Sequence, residues 1–135
     1  MAAKPESVFI SSVHKHLPKV LHKEKTNNPY RGGIADCWYS GAKGDLWVEY
    51  KYLPSVPKIG DITWQRLGIS SLQYDWLSER SEEGRNVAVV VGTPEGGVIY
   101  KHREWAITHS CVEFKQKLIL RPHIANFIVG ETMKA

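Results

Sequence analysis

Between Gly33 and Leu53, two runs rich in aromatic and β-branched residues, Ile34 to Tyr39 and Leu46 to Tyr52, flank the turn-forming segment Ser40-Gly-Ala-Lys-Gly-Asp45. This stretch constrains the chain more than any other, because the pattern predicts an antiparallel hairpin. A loop symmetric about the Ala42–Lys43 bond sets Asp36 opposite Glu49 and Trp38 opposite Trp47. Side chains alternate faces along a strand, so Lys51 joins Glu49, Asp36 and both tryptophans on one face, while Cys37, Val48 and Tyr50 turn to the other. Large residues on both faces predict strands covered on both sides. Directly opposed residues have Cβ atoms about 5 Å apart, close enough for both carboxylates to bind one hard divalent cation. A one-residue slip would separate the acids, so they select the symmetric register.

An aspartate, a dozen intervening residues, then Glu-Tyr-Lys at the end of an apolar strand resemble the PD-(D/E)XK nuclease superfamily. Asp36 matches the first acid, Glu49 the second and Lys51 the lysine. Gly32-Gly33-Ile34-Ala35-Asp36, Val48-Glu49-Tyr50-Lys51 and a downstream Gln73 ahead of Trp76 and Leu77 are most similar to the small VRR-NUC type. Ala35 stands where the superfamily's name has a proline. The resemblance implies an α/β, restriction-endonuclease-like fold with an αβββαβ core, its mixed central sheet flanked by helices. It also implies Mg²⁺ or Mn²⁺ held by Asp36, Glu49 and the backbone carbonyl of Tyr50, with Lys51 acting on the attacking water and the transition-state charge. The implied function is a metal-dependent DNA endonuclease, structure-specific in the manner of Holliday-junction or flap enzymes and working as a homodimer. A catalytically silent, nuclease-derived DNA-binding module is the alternative; filled acid and lysine positions favour the enzyme.

At 135 residues the chain predicts a single domain over 1–135, and a net charge of +4 with a pI near 9.1 suits a polyanionic partner. Five Trp, six Tyr and 42% hydrophobic residues argue against disorder, and no apolar run approaches membrane-spanning length. Met1-Ala-Ala-Lys-Pro-Glu lacks an apolar signal segment, which predicts a cytoplasmic protein, bacterial or virus-encoded by its resemblance. Cys37 and Cys111 have no metal-ligand spacing and read as free thiols, Cys37 facing the core.

Pro5-Glu6 opens a helix whose Phe9, Ile10, Val13 and Leu17 keep helical spacing. Glu6 extends that apolar stripe by one turn. It reads either as a first-turn acid complementing the helix dipole or, by the resemblance, as an acid assisting a metal ion. His14, Lys15, His16, Lys19, His22, Lys23 and Lys25 read as a solvated basic face, with Lys15 and Lys19 as phosphate contacts. Asn27 to Gly33 is turn-forming and carries Arg31 near the first strand, placed to reach a phosphate.

Pro54, Pro57 and Gly60 interrupt regular structure through about Arg66. This long loop, with Lys58, Trp64 and Arg66, reads equally as a substrate-contacting flap or as a strand excursion with Trp64 docked on the core. Ile69, Leu72, Gln73, Trp76, Leu77 and Arg80 predict a helix stopped by Gly84. Gln73 has two readings there: the glutamine of a Ser70-x-x-Gln73 capping box, or a residue beside the active site. Asn86 to Gly92 reads as a central strand, Thr93 to Gly97 as a turn into Val98-Ile99-Tyr100, and the C-terminal third as short helices packed on the core.

Overall fold

The computed structural model describes residues 4–26 and 33–133. Helix α1 (Pro5–His14) begins with the proline whose missing amide costs nothing at a helix start, and it buries Phe9, Ile10 and Val13. Strand β1 (His22–Lys25) follows, then β2 (Cys37–Ser40) and β3 (Asp45–Tyr52). The β2–β3 pairing is antiparallel with Cys37 opposite Val48, Trp38 opposite Trp47, Tyr39 opposite Leu46 and Ser40 opposite Asp45, the symmetric register. Regular pairing in β2 begins at Cys37, three residues later than the apolar run suggests.

β1 is a correction. The segment expected to be a solvated basic face is an exposed edge strand, Lys25 opposite Cys37 and His22 opposite Ser40. Its backbone pairing, not side-chain burial, holds it in the sheet. With it, the order α1, β1, β2, β3, helix, strand is the αβββαβ core.

Beyond β3, the proline-rich stretch is a strand excursion. Short β4 (Asp61–Ile62) pairs with β7 (His109–Ser110), and Trp64 docks on the core with its ring 4.5 Å from that of Tyr74. Helix α2 (Ser71–Glu82) stops before Gly84, whose φ of +81° is the left-handed conformation glycine adopts without strain. The apolar face expected for α2 is narrower than its spacing suggests: Leu77 is buried, but Leu72 is 62% exposed. β5 (Val87–Thr93) is buried throughout and pairs in parallel with β3, a connection that needs the α2 crossover. β6 (Gly96–Tyr100) returns antiparallel, completing a mixed five-stranded sheet of order β1-β2-β3-β5-β6. The remaining chain forms a single 3₁₀ turn (Glu104–Ala106), α3 (Cys111–Lys117) and α4 (Arg121–Thr132). Before α4 the backbone of Ile119 exchanges two hydrogen bonds, both 2.9 Å, with Gly97 on the outer edge of β6.

Two apolar clusters cover the two faces of the sheet. One joins Phe9, Ile10 and Val13 of α1 and Ile124 and Ile128 of α4 to Cys37, Tyr39, Val48 and Tyr50. The other joins Leu77, Phe114 and Trp105 to Val87, Val89 and Val91, with Trp47 and Trp76 packed at its margin. No described helix is long and apolar enough to cross a membrane.

Candidate active site

The register carries the acid side chains to one place. Glu49 lies on the α2 side of β3, 1% exposed, and the charge of Asp36 acts on its carboxyl. Asp36 sits one residue before β2 begins, and its Oδ2 accepts a 2.9 Å bond from the Tyr50 amide. In a strand, the N–H and C=O of one residue point to the same neighbour, so the Tyr50 carbonyl also faces the Asp36 side of β3. Lys51 Nζ lies 3.3 Å from Glu49 Oε2, its side chain 15% exposed.

Gln73, in the first turn of α2, satisfies both readings of its sequence position. Its Oε1 accepts from the Ser70 amide at 2.9 Å while the Ser70 hydroxyl accepts from the Gln73 amide, a complete capping box. The other end of the same amide, Nε2, donates to Glu49 Oε2 at 3.0 Å. Gly33 makes room for this arrangement. Its φ is +94°, and a Cβ there would meet the Leu72 carbonyl oxygen at 2.7 Å, so only glycine lets this segment lie against the first turn of α2.

Burial raises the Glu49 carboxyl to a pKa of about 9, with the neighbouring Asp36 charge adding to the effect and Lys51 opposing it. A buried acid beside a second acid is disfavoured as an anion unless a cation offsets the charge. Glu49 Oε2 is engaged by Gln73 and Lys51, but Oε1 is buried with no hydrogen-bond partner among the described residues. A buried oxygen left without a donor, facing a second carboxyl, suits a hard cation with oxygen ligands. The donor set therefore fits Mg²⁺ or Mn²⁺, with Asp36, Glu49 and the Tyr50 carbonyl as protein ligands and water completing the shell.

Glu6 lies across a cleft of about 340 Å³ that it lines with Asp36, Lys4, Lys25 and Thr26. Its carboxyl is raised first by burial and then by Asp36, against the attraction of Lys51, Lys4 and Lys25. Among the described residues, no three acidic, histidine or cysteine side chains converge into one ligand set. Glu6 thus shares the cleft with Asp36 but does not join Asp36 and Glu49 in one ligand set, against the expectation that it holds a metal ion.

The candidate nucleic-acid contacts are dispersed. Lys15 and Lys19 are exposed beyond the C-terminal end of α1, about 14 Å or more along the chain axis from Glu6 at its start. Lys58 is exposed in the excursion, whereas Arg66 Nη1 is engaged within it, donating to the carbonyls of Ile59 (2.7 Å) and Asp61 (3.0 Å). Arg31 lies outside the described residues. His14 does not belong to the basic face: its Nε2 lies 2.7 Å from the Tyr39 hydroxyl, which is 2.6 Å from that of Tyr50, and burial lowers its pKa to about 4. Lysines 23 and 25 push in the same direction, so His14 is neutral at physiological pH. Trp38 stacks on Trp47 as their predicted pairing implies, and Trp76 adds an edge-on contact to Trp47 that sequence reasoning missed. The trace of the stacked pair is the shared face of positions 36, 38, 47 and 49.

No family model matches the sequence, and no curated protein matches it. The fold does have a solved counterpart in Hjc, a Holliday junction resolvase from the archaeal hyperthermophile Archaeoglobus fulgidus. That structure superposes with a TM-score of 0.54 at 11% sequence identity, covering 90% of this chain and 97% of the resolvase. The five-stranded mixed sheet flanked by helices is thus a resolvase-type, restriction-endonuclease-like fold.

Proposed function

We propose that this single domain is a metal-dependent DNA endonuclease of the PD-(D/E)XK superfamily that acts on branched DNA as a homodimer. The observation carrying this reading is Glu49: a buried carboxyl group fixed at one oxygen by Gln73 and Lys51, with the other oxygen unpartnered among the described residues. The likeness in fold to a resolvase supports it; the finer resemblance to the VRR-NUC type rests on the Gly32-to-Asp36, Glu49-Tyr-Lys51 and Gln73 motifs alone.

A divalent cation between Asp36 and Glu49 would supply Lewis-acid polarisation of a phosphate and a more acidic bound water. The chain's own groups do the rest. Gln73 and the α2 cap hold Glu49 in one orientation. Lys51, 3.3 Å from Glu49, orients the attacking water and offsets negative charge as it builds on the phosphate. Glu6, which lines the same cleft as Asp36, would act on the leaving-group side. Lys15, Lys19, Arg31 and Lys58 would serve as outlying phosphate contacts, which position a duplex without reading its bases, whereas Arg66 is engaged within its own loop.

Incubating the purified protein with branched, flapped, single-stranded and duplex DNA, with and without Mg²⁺ or Mn²⁺, tests the proposal. Metal-dependent scission of branched DNA, lost in Glu49→Ala, is the expected result. Tight DNA binding with no scission in either metal would establish the catalytically silent module instead.

A further inference from the structure

We propose that Trp38, Trp47 and Trp76 form a stacking platform for unpaired bases of the DNA strand whose phosphate lies at Asp36 and Glu49. The proposal rests on the nuclease reading only for where that phosphate sits. The rings form a continuous ladder across the open side of the hairpin: Trp38 stacks on Trp47 with centroids 5.8 Å apart and planes at 23°, and Trp47 meets Trp76 edge-on at 5.6 Å. His22 on β1 extends it, 5.2 Å from Trp38.

Ordinary core packing accounts for only part of this ladder. Trp47 and Trp76 lie at the margin of the cluster under α2, but Trp38 belongs to neither apolar cluster. β2 packs against α4 on the opposite face, and Trp38 remains partly exposed on this one. Trp38 is held between Trp47 and His22, so the part of its ring that remains exposed is ordered before a base arrives.

Position beside the acid pair identifies the occupant. Arg80 follows Trp76 by one helical turn, and Arg85 lines a groove of about 590 Å³ together with Trp47. Acidic groups share this side: Asp45 lines the same groove, Glu83 Oε1 lies 2.7 Å from Arg80 Nη2, and Glu24 lies 3.3 Å from His22. Trp47 is two residues along β3 from Glu49, about 7 Å, which is the rise of about two stacked nucleotides. A strand crossing the acid pair would therefore lay its next bases on the ladder. Bases in a duplex have their faces covered by their neighbours, so only unpaired ones can stack here.

The test is equilibrium binding to a single-stranded oligonucleotide and to a version of the same length with abasic residues, both in Ca²⁺ to prevent scission. Intact bases should quench the tryptophan fluorescence and bind about 5- to 150-fold more tightly for each base stacked. Trp38→Ala should remove that preference while leaving duplex affinity within about twofold, and Trp38→Phe should retain much of it. Equal affinity for the intact and abasic strands in the wild-type protein would overturn the proposal without any variant having to fold. So would a Trp38→Ala protein that loses self-association but keeps the preference for bases, which would assign the ladder to a subunit contact. Stacking without any scission in Mg²⁺ would leave the platform standing and remove the nuclease reading; scission with no preference for bases would do the reverse.

Discussion

Gln73 and Glu49 are joined by a 3.0 Å hydrogen bond, and the glutamine that makes it is also the residue that closes the N-terminal cap of α2. Fold and candidate chemistry thus meet in one amide whose two ends do different work. Substitutions can separate them. Gln73→Ala should lower stability by about 1 kcal/mol through the lost cap, a drop of about 4 °C in Tm, and should also reduce scission. Gln73→Glu preserves the acceptor that the capping box needs, so its Tm should stay within about 2 °C of the wild type. It replaces the donor to Glu49 with an acidic group, so scission should fall by about 10-fold or more. Thermal unfolding and single-turnover cleavage of the two variants check this; parallel losses in both would mean that the cap alone matters.

Cation binding should be coupled to proton release. Burial and Asp36 keep the Glu49 carboxyl protonated up to a pH of about 9, and a metal ligand must be ionised. Calorimetry with Mn²⁺ near pH 7, repeated in buffers of different ionisation enthalpy, should show release of about one proton. Affinity should rise with pH toward about 9 and level off above it. Glu49→Ala and Asp36→Ala should each abolish the binding. Unchanged Mn²⁺ affinity in Glu49→Ala would take that residue out of the ligand set.

Lys51→Ala should abolish scission while changing DNA affinity by no more than about threefold, because one ammonium adds little to an interface of many phosphates but acts directly on the reacting one. Anisotropy and gel cleavage on the same preparation make the comparison. A matched loss of both would reduce Lys51 to a phosphate anchor.

His14 predicts an acid limit to stability. Its ordinary pKa of 6.5 falls to about 4 in the folded chain because burial disfavours the charged ring, so protons bind the unfolded chain more tightly. Its contribution is therefore complete above pH 6.5 and is lost as pH falls toward 4. Denaturant titrations across that range should show stability declining with acid, and His14→Gln should flatten the decline. An unaltered slope in the variant would assign the acid sensitivity to other groups.

The hairpin was legible because its information is local: alternation fixes the faces, and the two acids choose the register, Trp38 opposite Trp47. Phe9, Ile10 and Val13 mark α1 in the same way, and the unbroken Val87-to-Val91 run marks β5. β1 was not legible. All four of its side chains are exposed, so burial imposes no pattern on His-Lys-Glu-Lys, and the strand exists because β2 offers it backbone partners. Leu72 misled for the opposite reason: its spacing fits an apolar stripe, yet its side chain is exposed while its backbone carbonyl packs over Gly33. His14 looked basic beside its lysines and is neutral because Tyr39, distant in sequence, encloses it. The excursion after β3 became a strand only through β7, nearly fifty residues later.

The Gly97–Ile119 exchange closes the outer margin of β6 with the chain's own backbone, and the opposite margin, β1, carries two lysines. Strand-by-strand growth is therefore blocked at one end by occupancy and discouraged at the other by repulsion between like charges. The exposed margin of β1 is the side at which a second copy would have to prolong the sheet, against the charge of Lys23 and Lys25. A dimer built on the tryptophan ladder would compete directly with unpaired DNA, whereas one built on the β1 margin would leave the ladder open.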